Sequence, residues 1–136
     1  MSSKSKKEKS CGGVIVEGGK VLMVLQTNGN FAFPKGHMEE GETEIETAMR
    51  EIAEETGVET ELDQKKRAEV NYYIKDLNID KHVVIFVGKP VGSIEVHPQE
   101  GEIEMVEWVE IPEVEGKLTY PEWKEVWTEI RKMIEE

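Results

Sequence analysis

Three observations predict a mixed α/β domain. Short apolar runs bounded by Gly, Pro and Asn recur as strands along the chain. A capped amphipathic helix interrupts them early, and a second helix with its own apolar stripe closes the chain. The first two strands are residues 11–17 and 20–26, and the Gly18-Gly19 between them suits a tight hairpin turn needing positive φ. Phe31-Ala32-Phe33 is a short extended piece before Pro34. A glycine-punctuated loop, residues 35–41, then leads into the first helix. There Thr43 and Glu46 have capping-box spacing. Ile45, Ala48, Met49 and Ile52 recur at i, i+3, i+4 and i+7, and Gly57 stands at the C′ position. Further strands are expected at residues 67–75, 81–88, 94–96 and 105–110. Pro121 opens the last helix, whose Trp123, Val126, Trp127, Ile130 and Ile134 form a stripe that assigns both Trp to the core.

The 136 residues suit one domain, long enough to bury roughly two-thirds of the unfolded surface. Residues 1–10, MSSKSKKEKS, read as a disordered basic tail, and residues 11–136 as the single domain. There are 17 Lys and Arg against 29 Asp and Glu, a net charge of −12. That balance argues against general nucleic-acid binding, which needs clustered cations, and against docking on an anionic membrane. At first sight it also argues against phosphate ligands. Cys11 is the only cysteine, so no internal disulfide or CxxC zinc pattern exists, which fits a cytoplasmic location. The apolar run 83–87 is too short to span a bilayer. No apolar stretch follows the basic N-terminus, unlike a signal peptide.

The end of the first helix breaks two rules of helix stability. Glu51, Glu54 and Glu55 are spaced i, i+3, i+4, so they crowd one surface. They also sit beside the negative end of the helix dipole, where cations are favoured. Such joint failures point to function. Three carboxylates with loop carbonyls suit Mg²⁺, with Mn²⁺ as the second choice. Taken alone, the cluster reads better as a solvated acidic face of an acidic protein.

The full spacing decides between the two. Residues 36–58, GHMEEGETEIETAMREIAEETGV, resemble the signature box of the Nudix hydrolases at every defining position. The opening SCGGVIV, the FPKG lead-in and the Val-Glu-Trp segment at residues 106–108 are also similar to that family. The resemblance implies a Nudix-type α/β/α sandwich, with a mixed sheet between helices. It also implies metal-dependent hydrolysis of a pyrophosphate bond in a nucleoside diphosphate-linked compound. By position it makes Glu51, Glu54, Glu55 and the Gly36 carbonyl the metal ligands, and Glu42 with Arg50 the brace between loop and helix. Glu54 is one candidate general base. Glu102, in the acidic stretch 100–104, is the other, since several family members draw the base from a later loop.

The FPKGHMEEGE loop most resembles the diadenosine tetraphosphate hydrolases. That likeness turns Lys35, His37 and Lys81 toward a phosphate chain and sets Tyr72 to stack on adenine. Strand alternation puts Tyr73 on the opposite face. One position departs: where some members carry a second aromatic for the base, this chain has Val106. The expected partner is therefore a small nucleoside polyphosphate, with cleavage of diadenosine tetraphosphate to ATP and AMP as the leading reaction. Oxidised nucleoside triphosphates, nucleotide sugars, diphosphoinositol phosphates and RNA 5′ ends are the alternatives, together with a non-catalytic nucleotide-binding role. Residues 76–80 begin like an EF-hand loop but continue with Lys81 in place of Gly, and no P-loop or GxSxG motif occurs. The acidity also takes on a new meaning: residues 36–58 hold eight Glu and residues 95–115 eight more, where the cations and the base are expected.

Overall fold

The computed structural model describes residues 4–135. Seven strands form one mixed sheet, in the order β3-β2-β1-β6-β5, with β4 added to β1 and β7 to β2. They are β1 (Lys6–Glu17), β2 (Lys20–Gln26), β3 (Phe31–Ala32), β4 (Lys35–His37), β5 (Thr60–Ile74), β6 (Ile79–Pro90) and β7 (Ile103–Glu110). The helices are α1 (Glu44–Thr56), α2 (Ile111–Lys117) and α3 (Pro121–Ile134). Among the strand pairs of the described residues, β1 and β6 run parallel and the others antiparallel.

Burial follows from alternation along the strands. On one face, Val14, Val70, Val83 and Ile85 pack under α3 through Trp123, Val126, Trp127 and Ile130. On the other, Cys11, Val84 and Phe86 meet Ala48 of α1. Helices on both faces of a mixed sheet complete the expected α/β/α layering. The two tryptophans of α3 are 6% and 1% exposed, as the stripe requires. No described helix is long and apolar enough to cross a membrane.

The structure corrects the boundary drawn at residue 10. Strand β1 already begins at Lys6, and Lys6–Ser10 pair in parallel with residues 79–83 of β6. The polar composition of that stretch hid a strand whose backbone bonds are satisfied by a neighbour; residues 1–3 lie outside the described part. Segment 94–96 is not a strand either: Trp108 Nε1–H donates to the Ile94 carbonyl at 3.0 Å, tying it down as a loop. Met49 of α1 is 38% exposed, while Thr47, outside the apolar stripe, is fully buried with its hydroxyl bonded to Glu42 at 2.9 Å. Helix α2, which begins with a Pro at its first turn, carries a start signal that the sequence reading passed over.

Helix α1 is fixed to the sheet at its first residue. Glu44 accepts two bonds from Arg67 of β5, at 2.9 and 3.0 Å, and stands 2.7 Å from Lys9 Nζ. The Arg67 bonds, opposed by burial and aided by Lys9, hold the Glu44 carboxyl at about 2. A depressed carboxyl contributes stability that is full above its unfolded value, 4.5, and is lost as pH falls toward 2. Glu44→Gln is therefore expected to cost about 2 kcal/mol at neutral pH. The difference from the parent should close by pH 2 in urea unfolding; a gap independent of pH would refute the account.

Candidate active site

The capping box predicted at Thr43 and Glu46 is present in both directions and starts α1 directly after the loop. Gly57 ends it with φ 78° in the left-handed region, its N–H bonded to the Ala53 carbonyl. Between these ends the acidic residues share one guanidinium. Arg50 Nε and Nη2 donate to the two oxygens of Glu42 at 2.7 and 2.9 Å, and Nη2 also reaches the His37 carbonyl at 3.0 Å. This fork clamps the loop to the helix. It also holds the Glu42 carboxyl at about 2, the Arg50 bond being the main cause. The remaining nitrogen, Nη1, stands 2.6 Å from Glu51 and 3.3 Å from Glu54.

Glu51 lies against the backbone of β4, and a Cβ on Gly36 would overlap its carboxylate. Only glycine lets strand and carboxylate approach this closely. Glu55 is 6% exposed and accepts the Lys35 backbone N–H at 3.1 Å. Among the described residues it has no salt-bridge partner. Burial pushes its carboxyl up to about 7, against the Lys35 bond and charge; the charges of Glu51 and Glu102 push the same way as burial. Burial likewise raises Glu51, with Arg50 opposing. Glu54 is exposed.

The structure thus gathers Glu51, Glu54, Glu55 and Gly36 at one end of α1, but it does not close them into a ligand set. No three acidic, His or Cys side chains among the described residues stand close enough to hold a metal. Glu51 turns to Arg50 instead. The donors nonetheless fit a hard divalent cation. All are oxygens, and among the described residues the buried Glu55 carboxylate has no ion-pair partner, the more distant charge of Lys35 offsetting its burial only in part. Glu102 is exposed on the loop before β7, with its charge close enough to act on Glu55.

Beyond the carboxylates lies a row of cations on the α3 face of the sheet. Pairing sets Lys35 opposite Gly12, and His37 opposite Ser10, on β1. Lys81 of β6 stands 3.1 Å from His37 Nε2 and 3.4 Å from Ser10 Oγ. Burial lowers the Lys35 ammonium, and the charge of Lys81 lowers it further. Lys35 Nζ also lies over the Trp123 ring at 5.9 Å. Trp123 in turn meets Tyr72 edge to face, with ring centroids 6.4 Å apart. Tyr72 is half-buried and Tyr73 is 52% exposed.

Tyr72, Trp123, Tyr120, Phe31, Asn30 and Lys35 line a cleft of about 360 Å³. A larger, shallower groove of about 570 Å³ covers Glu8, Lys81 and the other side of Tyr72. It is more open and its only aromatic residues are Tyr72 and Tyr73, so the smaller cleft, with Phe31, Tyr72, Tyr120 and Trp123, is the better enclosure for a ring. Val106 is 7% exposed, packed in the core beside β2. Sequence reasoning missed Trp123, Tyr120 and Asn30 as cleft residues. Trp123 was legible only as core, and it serves both surfaces. Asn30 donates to the Tyr120 hydroxyl at 3.2 Å, joining two distant loops that no local pattern connects. His82 and His97 stand beside single carboxylates, Glu69 at 3.5 Å and Glu95 at 3.7 Å, away from the cleft.

Residues 7–129 match the NUDIX domain. The chain belongs to the Nudix family. Nudix hydrolase 2 of Arabidopsis thaliana is 35% identical over 102 residues, covering 71% of this chain and 36% of that protein. The asymmetrical bis(5′-nucleosyl)-tetraphosphatase of Mus musculus is 48% identical over 42 residues, 29% of each. The C. elegans Ap4A hydrolase binary complex superposes with a TM-score of 0.83 at 21% identity, over 94% of this chain and 98% of that one. The MutT protein from Methanosarcina mazei Go1 does so at 0.77 and 20% identity, over 99% and 100%. At these identities the structural likeness is one of fold. The chain spans only 36% of the length of the first curated relatives it matches. The Nudix match begins inside β1, so the residues 7–10 that composition assigned to a tail fall within the matched domain.

Proposed function

We propose that this Nudix domain hydrolyses a pyrophosphate bond in a nucleoside diphosphate-linked substrate, with a dinucleoside polyphosphate such as diadenosine tetraphosphate as the preferred one. The observation that carries the reading is that Lys35 joins the two halves of the site. Its backbone N–H bonds to Glu55 of α1, while its ammonium lies over Trp123 in the aromatic cleft, with His37 two residues on along β4 and in contact with Lys81. Carboxylates, cations and aromatic rings suit the parts of such a substrate: scissile phosphates, phosphate chain, base. The partial match to the mouse tetraphosphatase and the fold of the C. elegans Ap4A hydrolase support the same choice.

Glu51, Glu54 and Glu55, with the Gly36 carbonyl, would hold a divalent cation, Mg²⁺ or Mn²⁺. When bound, it supplies charge neutralisation on the phosphates and a more acidic water. Arg50 holds loop and helix in register through Glu42 and the His37 carbonyl. Lys35, His37 and Lys81 bind phosphate oxygens and offset charge that builds on them during attack. Tyr72 gives the base a stacking face, and Trp123 buttresses Tyr72 from the core side. Glu102 accepts the proton of the attacking water, with Glu54 as the alternative acceptor.

Glu102→Gln is expected to lower the rate without weakening Mg²⁺ binding and to remove the acidic limb of the pH–rate profile. An unchanged profile would exclude Glu102 as the base. A second reading, another nucleoside diphosphate-linked substrate, is favoured by one observation: Val106 is packed in the core and gives the base no second ring from β7. A substrate panel with product analysis in ¹⁸O-water separates the two. Asymmetric cleavage of diadenosine tetraphosphate to ATP and AMP, preferred over oxidised dGTP, supports the first. Failure to hydrolyse any panel member with Mg²⁺ overturns both.

A further inference from the structure

Glu8 stands where a phosphate is expected to stand. It is the only acidic residue among the first ten, and pairing in β1 and β6 sets it directly opposite Lys81. Its Oε1 lies 3.4 Å from Lys81 Nζ and 3.5 Å from His37 Nε2, while Oε2 lies 3.6 Å from Lys6 Nζ. The side chains of Glu8 and Lys81 are only 18% and 12% exposed. Burial disfavours the ionised form of Glu8, yet Lys81 and His37 hold its carboxyl below the usual value, so it is a carboxylate at neutral pH. The neighbouring pairs of this sheet end, Lys7 with Asp80 and Lys9 with His82, fall on alternate positions. Alternation therefore places Glu8, and not Lys7 or Lys9, on the face that carries Lys81, His37 and Tyr72.

We propose that Glu8 is a specificity-determining residue, an internal anion that competes with the substrate's phosphate chain for Lys81 and His37. The inference rests on the reading of those two residues as phosphate contacts. A phosphate oxygen reaching Lys81 must share its ammonium with the Glu8 carboxylate at short range, and two anions on one cation repel. Lys35, which sits nearer α1 and pairs with Gly12, has no carboxylate at ion-pair distance among the described residues, the charges of Glu55 and Glu51 acting on it from further off. A short chain that ends at Lys35 is thus bound without this opposition, and a longer chain that extends to Lys81 meets it. Glu8 weakens the far end of the site and limits the length of chain held tightly. Its effect belongs to binding, because the carboxylates of α1 lie on other elements and Glu8 touches none of them.

The test is a double-mutant cycle of Glu8→Gln and Lys81→Met, with Glu17→Gln as a control. Glu17 is an exposed residue at the other end of the same strand, and its replacement removes the same unit of charge. Initial rates on diadenosine tetraphosphate with Mg²⁺ at low salt are expected to give Glu8→Gln a KM about fivefold lower than the parent, a gap that narrows as salt rises. The control should move KM by less than about twofold, since distant exposed charges are screened. In the Lys81→Met background the Glu8 effect should vanish. Calorimetric titration of inorganic tripolyphosphate without metal should show the same cycle in Kd.

A KM and Kd that stay constant or rise in Glu8→Gln would overturn the proposal. So would an equal fall in the Lys81→Met background, or an equal fall in Glu17→Gln. The functional reading fails separately: it falls if the parent does not turn over the dinucleotide, and the tripolyphosphate cycle still decides on Glu8.

Discussion

Glu54→Gln is expected to lower Mg²⁺-dependent turnover by at least about a hundredfold and to leave the fold intact, as loss of a metal ligand or general base would. The two halves of that expectation have different origins. Glu54 is exposed, and its one ion-pair partner among the described residues is Arg50 at 3.3 Å. Arg50 keeps its two bonds to Glu42 and its 2.6 Å contact with Glu51 when Glu54 is neutralised. The charge of Glu54 also works against its neighbour, pushing Glu51 toward the neutral form. Removing it should therefore change stability by no more than a few tenths of a kcal/mol, in the favourable direction. A residue that destabilises its own helix end and yet is needed for turnover has a functional role. Initial rates and thermal unfolding on the same preparation check both halves. Near-normal turnover by the variant would sink the assignment of the box glutamates.

The parts of this architecture that were legible in the sequence are those carried by local rules. The capping box at Thr43, the left-handed stop at Gly57, the Gly18-Gly19 turn and the apolar stripe of α3 each need only neighbours in sequence, and each is present. The box spacing was legible because helix geometry converts i, i+3, i+4 into a common surface. Long-range pairing was not legible. Lys6–Ser10 form a strand because β6 lies beside them, and nothing in their composition says so. The joining of Asn30 to Tyr120, and of Glu8 to Lys81 and His37, depends on strand register and loop packing. Met49 shows the same limit within a helix. Its spacing fits the buried face, but its side chain is 38% exposed, whereas Thr47, outside the apolar stripe, is fully buried with its hydroxyl bonded to Glu42.

Glu55→Gln is expected to reverse the usual sign of a site mutation: no loss of stability without metal, and loss of most of the stabilisation that metal provides. Glu55 is 6% exposed, with one backbone bond from Lys35 and no cation paired to it among the described residues. Burying an anionic carboxylate in this way is costly, and an amide of the same shape keeps the acceptor for the Lys35 N–H while removing the charge. In chelator, the variant should thus melt at or above the parent. A ligand that binds only the folded state stabilises it by RT ln(1 + [L]/Kd), about 2.7 kcal/mol at a hundredfold excess over Kd. For a domain of this size that is a rise of roughly 8–10 °C in Tm. The parent should show such a rise with Mg²⁺ or Mn²⁺. The variant, lacking the buried ligand charge, should show little, so the two melting curves exchange order between chelator and metal. Glu42→Gln offers the contrast, because its carboxylate is already satisfied by Arg50 and Thr47. That change should lower stability in both conditions. If Glu55→Gln instead destabilises the metal-free chain and keeps the full metal-induced rise, Glu55 is a structural acceptor for the β4 backbone and not a ligand.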